Sequence, residues 1–114
     1  MVTKPASHAA ADPDQMRSAA GAASALLRAL ANEDRLLLLC QLSQGERSVS
    51  ELEQLLQIRQ PTLSQQLGVL RAEGLVTTRR DGKRIFYAVA DAKVLHLLET
   101  LYRLYCPSPS GDMP

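Results

Sequence analysis

RQPTLSQQLGVLRAEGLVTTRRDGKRIFYAV, residues 59–89, reads as a short helix followed at once by a basic two-stranded hairpin. The helix is predicted from Pro61 to about Glu73, with Pro61 in the first turn, where its missing N–H costs nothing, and Gly74 as the left-handed stop. Leu63, Leu67 and Leu70 recur at i, i+4 and i+7 and point inward. That leaves Thr62, Ser64, Gln65 and Gln66 outside, a face of hydroxyls and amides suited to base edges in a major groove. Beyond Gly74, Leu75–Thr78 and Ile85–Val89 are β-prone runs joined across Arg79-Arg80-Asp81-Gly82-Lys83-Arg84. Asp-Gly is a strong hairpin turn.

Charge is concentrated in the same place. The whole chain carries a formal +1, yet residues 59–84 hold six basic groups against two acidic ones. A basic tip on a near-neutral body places cations on phosphates locally without binding every polyanion. Solvated turn cations would account for the hairpin alone. The polar-faced helix directly before it turns the reading toward DNA, with Gln60, Thr62, Ser64, Gln65, Gln66, Arg79, Arg80, Lys83 and Arg84 as the contact set.

The chain has 114 residues, 46% of them hydrophobic, with one Phe and no Trp, which sets the expectation of one small soluble domain with an aliphatic core. No apolar run approaches a membrane span, and the N-terminus lacks the basic start and apolar stretch of a signal peptide. The reading is cytoplasmic. Asp12-Pro13 opens a first helix to about Leu30, with Met16, Ala20, Ala23, Leu27 and Leu30 at heptad-like spacing. Asn32 caps a second, Glu33 to about Gln44, stopped by Gly45. Ser48 with Glu51 forms a capping box for a third, to about Gln57. Asp91 caps a last helix to about Tyr105, whose Val94, Leu95, Leu97, Leu98, Leu101, Leu104 and Tyr105 are too many for one domain face. The third and fourth helices form a helix-turn-helix. Surplus apolar surface on the first and last helices predicts a two-fold dimer, which sets two reading helices about 34 to 36 Å apart.

The order helix, helix, helix-turn-helix, hairpin, helix resembles the ArsR/SmtB family of winged-helix repressors. Leu36–Leu42, Gln60–Leu67 with Val69-Leu70-Arg71 and Gly74-Leu75-Val76, and Arg80–Tyr87 carry the likeness. It implies a mainly α fold with a small β-hairpin, a winged helix-turn-helix of order α-α-α-α-β-β-α, dimeric through its first and last helices. Residues 1–12 then form a disordered leader, 13–106 the DNA-binding and dimerisation domain, and 107–114 a disordered tail. By the same resemblance Thr62, Ser64, Gln65 and Gln66 enter the major groove, and Lys83 and Arg84 meet backbone or minor groove. Gln66 stands where a His is common in the family.

Ligands for a metal are few. The third helix has Val49-Ser50-Glu51-Leu52-Glu53 without a thiol, Asp91 is followed two residues on by Lys93, and His8 lies in the leader. His96 and Glu99 supply two corners of a site at most. No metal and no cofactor are expected. Enzyme chemistry is not expected either, since His8, His96 and two cysteines make no nucleophile with base and orienter, and no Gly-rich phosphate loop exists.

The two cysteines, Cys40 in the second helix and Cys106 at the end of the last, carry the sharper idea. In the cytoplasm a cysteine pair is more often catalytic, metal-binding or redox-sensing than structural. Read alone, Cys40 is as well explained as a small buried hydrophobe. Both positions nevertheless resemble those of the persulfide-responsive BigR/SqrR subgroup of the family. That resemblance implies a repressor released from a palindromic operator when Cys40 and Cys106 join by a di- or polysulfide bridge in response to reactive sulfur species or oxidants. The alternative is a repressor answering to a metal or metalloid through Cys40 and Cys106 with a third ligand, or to haem through a cysteine and His96.

Overall fold

The computed structural model describes residues 12–106 and contains five helices and a three-stranded antiparallel sheet. In chain order these are α1 (Pro13–Leu30), α2 (Glu33–Leu42), β1 (Arg47–Ser48), α3 (Val49–Leu56), α4 (Thr62–Ala72), β2 (Val76–Asp81), β3 (Arg84–Val89) and α5 (Ala92–Tyr105). The expected leader up to residue 11 and the tail from residue 107 lie outside the described residues. Among the described residues no helix is long and apolar enough to cross a membrane.

Each helix starts where a side chain satisfies its first free N–H groups. Asp12 accepts from Gln15 N and Ser48 from Glu51 N, both closed as capping boxes, while Asn32 accepts from Arg35 N and Asp91 from Lys93 N. Asp12, counted with the leader in the sequence, is therefore the cap of α1. Pro61 is a cap residue as well, one position ahead of the helix it was expected to begin inside. Its helix is started instead by Gln60, whose Oε1 accepts from Ser64 N at 3.1 Å. At the other end, Leu75 N reaches Leu70 O and Gly74 N reaches Arg71 O, with Gly74 at φ 75°. This is the glycine stop expected there. Helix α2 ends at Leu42, two residues earlier than expected, and Gln57 closes α3 in a left-handed conformation at φ 59°.

The hairpin departs most from expectation. Its strands run to Asp81 and resume at Arg84, so Arg79, Arg80 and Arg84 lie in strands and the loop is only Gly82-Lys83. Gly82 takes φ 65° at the first loop position, the conformation that lets a two-residue turn follow the strands' twist. The sheet order is β1-β3-β2, and β1, which the sequence reading missed, pairs Arg47 with Tyr87 and Ser48 with Phe86.

The core gathers Leu38, Leu39 and Leu42 of α2, Leu52 of α3, Leu63, Leu67 and Leu70 of α4, Val76 of β2, and Val94 and Leu98 of α5. Burying one such leucine contributes about 1.5 to 3 kcal/mol. The three central helices are thereby held to the sheet as one unit.

Candidate nucleic-acid interface and thiol pair

On α4 the inward leucines Leu63, Leu67 and Leu70 fix which residues face out. Ser64 and Gln65 are exposed, while Thr62 and Gln66 are half-buried. Gln66 is tied down: its Oε1 accepts from Arg35 Nη1 at 3.0 Å, and Arg35 also reaches the carbonyls of Arg28 and Ala29 at the end of α1. Nothing in the sequence signals this clamp, because Arg35 and Gln66 stand on different helices.

The wing's cations divide by face. Cross-strand partners share a face, so Arg79, paired with Phe86, and Arg84, paired with Asp81, lie on one side. Both guanidinium groups stack on Phe86, at 4.6 and 4.9 Å from the ring centre. Arg79 also grips Glu46 with two hydrogen bonds, at 2.9 and 2.7 Å, which hold the Glu46 carboxyl below the usual carboxylate range. Arg84 donates to the hydroxyl of Ser48 at 3.1 Å. These two residues fasten the wing to the β1 segment. Arg80 and Lys83, by contrast, make no ion pair with any described residue and are exposed. Arg59, ahead of α4, and Arg71, in its last turn, are in the same condition. The surface formed by exposed amides, hydroxyls and unpaired cations is chemically matched to base edges flanked by phosphates.

Residues 32–78 match the description "Bacterial regulatory protein, arsR family". The biofilm growth-associated repressor of Agrobacterium fabrum is 59% identical over 71% of this chain and 69% of its own length. The chain belongs to the ArsR family. Its namesake from Xylella fastidiosa is 50% identical over 82% of both chains, and the transcriptional activator HlyU of Vibrio cholerae 44% over 81% of this chain and 85% of its own. Among solved structures, the transcriptional repressor BigR from Xylella fastidiosa superposes with a TM-score of 0.79 at 47% identity, covering 86% of this chain and all of that one. Reduced HlyU gives 0.78 at 43% identity, covering 81% and 97%. Family and fold thus agree with the winged helix-turn-helix expected from the sequence, and the chain is a BigR-like transcriptional regulator, a DNA-binding protein and not an enzyme.

Away from the reading surface, α2 and α5 flank a groove lined by Leu37, Cys40, Gln41, His96, Glu99 and Tyr102. Cys40 is half-buried there and Cys106 is exposed at the end of α5; both thiols are free. Burial pushes the Cys40 thiol above its ordinary value, and the charge of a Cys106 thiolate raises it further. Leaving α5, Cys106 N still bonds Tyr102 O at 2.9 Å, so the last turn carries the thiol to the helix end. Glu99 faces Arg103 at 3.5 Å, and His96 stands in the groove wall opposite Cys40's helix. Among the described residues no three His, Cys, Asp or Glu side chains gather as metal ligands.

Proposed function

We propose that this chain is a homodimeric repressor that binds a palindromic operator through Gln60, Thr62, Ser64, Gln65, Gln66 and the wing, and that a sulfur bridge between Cys40 and Cys106 releases it. One observation carries the reading: Cys40 opens into the groove that α5 borders, and Cys106 ends that same helix. The repressors of Agrobacterium and Xylella lend the direction of regulation. The dimer is supported by apolar side chains that α1 and α5 leave uncovered, among them Met16, Leu27, Leu104 and Tyr105.

The chemistry follows from exposure. Cys106 meets reagents first, and its thiolate attacks the outer sulfur of a persulfide R–S–SH, giving Cys106–S–SH and R–S⁻. The Cys40 thiolate then attacks the Cys106 sulfur and expels HS⁻, leaving a disulfide. If Cys106 has gathered two sulfurs, attack on the first of them expels HS⁻ and leaves a trisulfide. Either bridge ties α2, which supports the reading helix, to α5, which borders the dimer face. A hundredfold loss of operator affinity needs about 2.7 kcal/mol of difference between the two states. A bridge closing so long a loop is worth about 4 kcal/mol by the chain-entropy estimate, so the scale suffices. The protein acts in the cytoplasm, where thiols stay reduced until challenged.

His96, which lines the same groove as Cys40, sustains one rival, a metal or haem ligand set. Intact mass separates them. After a polysulfide donor the chain should lose two hydrogens, with no added sulfur for the disulfide and one added sulfur for the trisulfide, while a metal or haem sensor would instead hold its ligand through desalting in native conditions, haem with visible absorbance.

A further inference from the structure

Arg35 stands at the start of α2 and fills its guanidinium with acceptors from two other helices. Nε donates to Ala29 O at 2.6 Å and Nη2 to Arg28 O at 3.1 Å, both at the end of α1, while Nη1 donates to Gln66 Oε1 at 3.0 Å on α4. A guanidinium has donors and no acceptor, so the atom of Gln66 that faces it is the amide oxygen. Chemistry settles that orientation, which diffraction alone seldom does. The Nε2 amino group, with two N–H donors, is the end of Gln66 left for anything outside. Gln65, the neighbouring exposed amide, has no such partner among the described residues and keeps both its oxygen and its nitrogen.

We propose that Arg35 is a positioning residue for DNA recognition: it turns the oxygen of Gln66 toward the protein, so that Gln66 meets DNA with its amino group and selects an acceptor. The inference rests on α4 being the reading helix. The paired contact of glutamine with adenine needs an amide oxygen to accept from the 6-amino group and an amide nitrogen to donate to N7. On Gln66 one lone pair of that oxygen is taken and the oxygen is turned toward Arg35, which leaves it poorly placed to accept from a base. Guanine N7 and O6 are both acceptors, and so is a phosphate oxygen; these share the chemistry a lone NH2 recognises. The adjacent glutamines Gln65 and Gln66 are therefore different readers, one free to make the adenine pair and the other held from it. The clamp also fixes the angle of α4 to the corner between α1 and α2, because the same guanidinium holds the last carbonyls of α1.

The probe is the duplex that the full chain binds most tightly in selection from random sequence, compared with an unrelated duplex of equal length. Where the acceptor is a base edge, Gln66→Leu and Arg35→Met are each expected to lower the ratio of specific to non-specific affinity about tenfold, within the range of one good base contact; where it is a phosphate, both affinities should fall together. The double variant should lose no more than Arg35→Met alone, with the salt dependence of all three unchanged. Multiplied losses in the double variant would show Arg35 acting elsewhere and overturn the proposal. Each guanine of the selected duplex is then replaced by 7-deazaguanine and each phosphate by methylphosphonate. The wild type should be sensitive at one position where Gln66→Leu is not: a 7-deazaguanine position identifies a base edge, a methylphosphonate position the backbone. If the sensitivity that vanishes with Gln66→Leu is instead to removal of an adenine 6-amino group, or if none vanishes, the donor role is wrong. Far-UV circular dichroism and thermal melting accompany each variant. Gln66→Leu leaves Arg35 on the α1 carbonyls, so the modified-duplex arm stands even if Arg35→Met fails to fold.

Discussion

Leu38, Leu39, Leu52, Leu63, Leu67 and Leu70, on the three central helices, are at most 1% exposed, whereas on α1 and α5 Met16, Leu27, Leu104 and Tyr105 keep between 55% and 81% of their surface open. Within one chain the reading head has a closed core, though Leu55 of α3 stays 54% exposed, and its wing is fastened at Glu46 and Ser48 and its helix clamped by Arg35. The outer helices are unfinished, and on the proposed reading a second copy finishes them. The thiols stand on either side of that division, Cys40 on a helix of the closed head and Cys106 on an open one. On the proposed reading, a bridge across the division acts on both DNA reading and assembly.

The largest effects should fall on the closed side. Leu67→Ala is expected to destabilise the protomer by about 2 to 5 kcal/mol in urea denaturation, through lost burial and the cavity left behind. Leu104→Ala, at dilutions where the chain is monomeric, should change it by less than about 0.5 kcal/mol while weakening association in sedimentation. Equal losses from the two would erase the contrast. Gln65→Ala should cost about 1 to 3 kcal/mol on the operator and leave binding to unrelated DNA unaltered; equal loss on both would remove α4 as the reader.

Smaller effects sharpen the division within the wing. Arg80→Ala or Lys83→Ala should weaken binding to every sequence and lower the slope of log affinity against log salt by about one phosphate contact per protomer. The sequence reading sets Arg79 and Arg84 in the same role, but their guanidinium groups serve Glu46, Ser48 and the Phe86 ring. Their replacement by Ala should loosen the wing, seen as faster amide exchange in β1 and β3, with a smaller change in salt slope. An Arg84→Ala slope change as large as that of Arg80→Ala would return it to the DNA contacts. Bridge formation should depend on pH in a defined direction. Burial raises the Cys40 thiol, so its thiolate is scarcer at neutral pH than that of an ordinary cysteine. The closing step should therefore keep accelerating as pH rises through and beyond the ordinary thiol range, measured by stopped acid quench and mass; a plateau below that range would show Cys40 activated instead.

Local signals made most of the fold legible in the sequence. Asp12, Asn32, Ser48 and Asp91 cap helices because their side chains reach N–H groups two or three residues on, and Gly74 and Gly82 turn the chain where their φ is positive. The missed features are contacts between segments distant in the chain. Arg47-Ser48 is too short to look like a strand and exists because β3 offers an edge. Arg79 and Arg84 look like turn cations until Phe86, Glu46 and Ser48 are brought beside them, and Arg35 looks like a solvated helix residue until Gln66 meets it. Outward amides on α4 could be assigned from periodicity. Which of them was already engaged could not.

The central claim is that a bridge between Cys40 and Cys106, and not modification of one thiol, releases DNA. The direct measurement follows operator binding by fluorescence anisotropy while a polysulfide donor is added to the wild type, Cys40→Ser and Cys106→Ser, with intact mass taken from the same samples. The wild type should lose two hydrogens, with one added sulfur where the bridge is a trisulfide, and dissociate. Each single variant should bind the operator like wild type, gain sulfur on its remaining thiol and stay bound. A Cys106→Ser protein that dissociates under the donor would contradict the account.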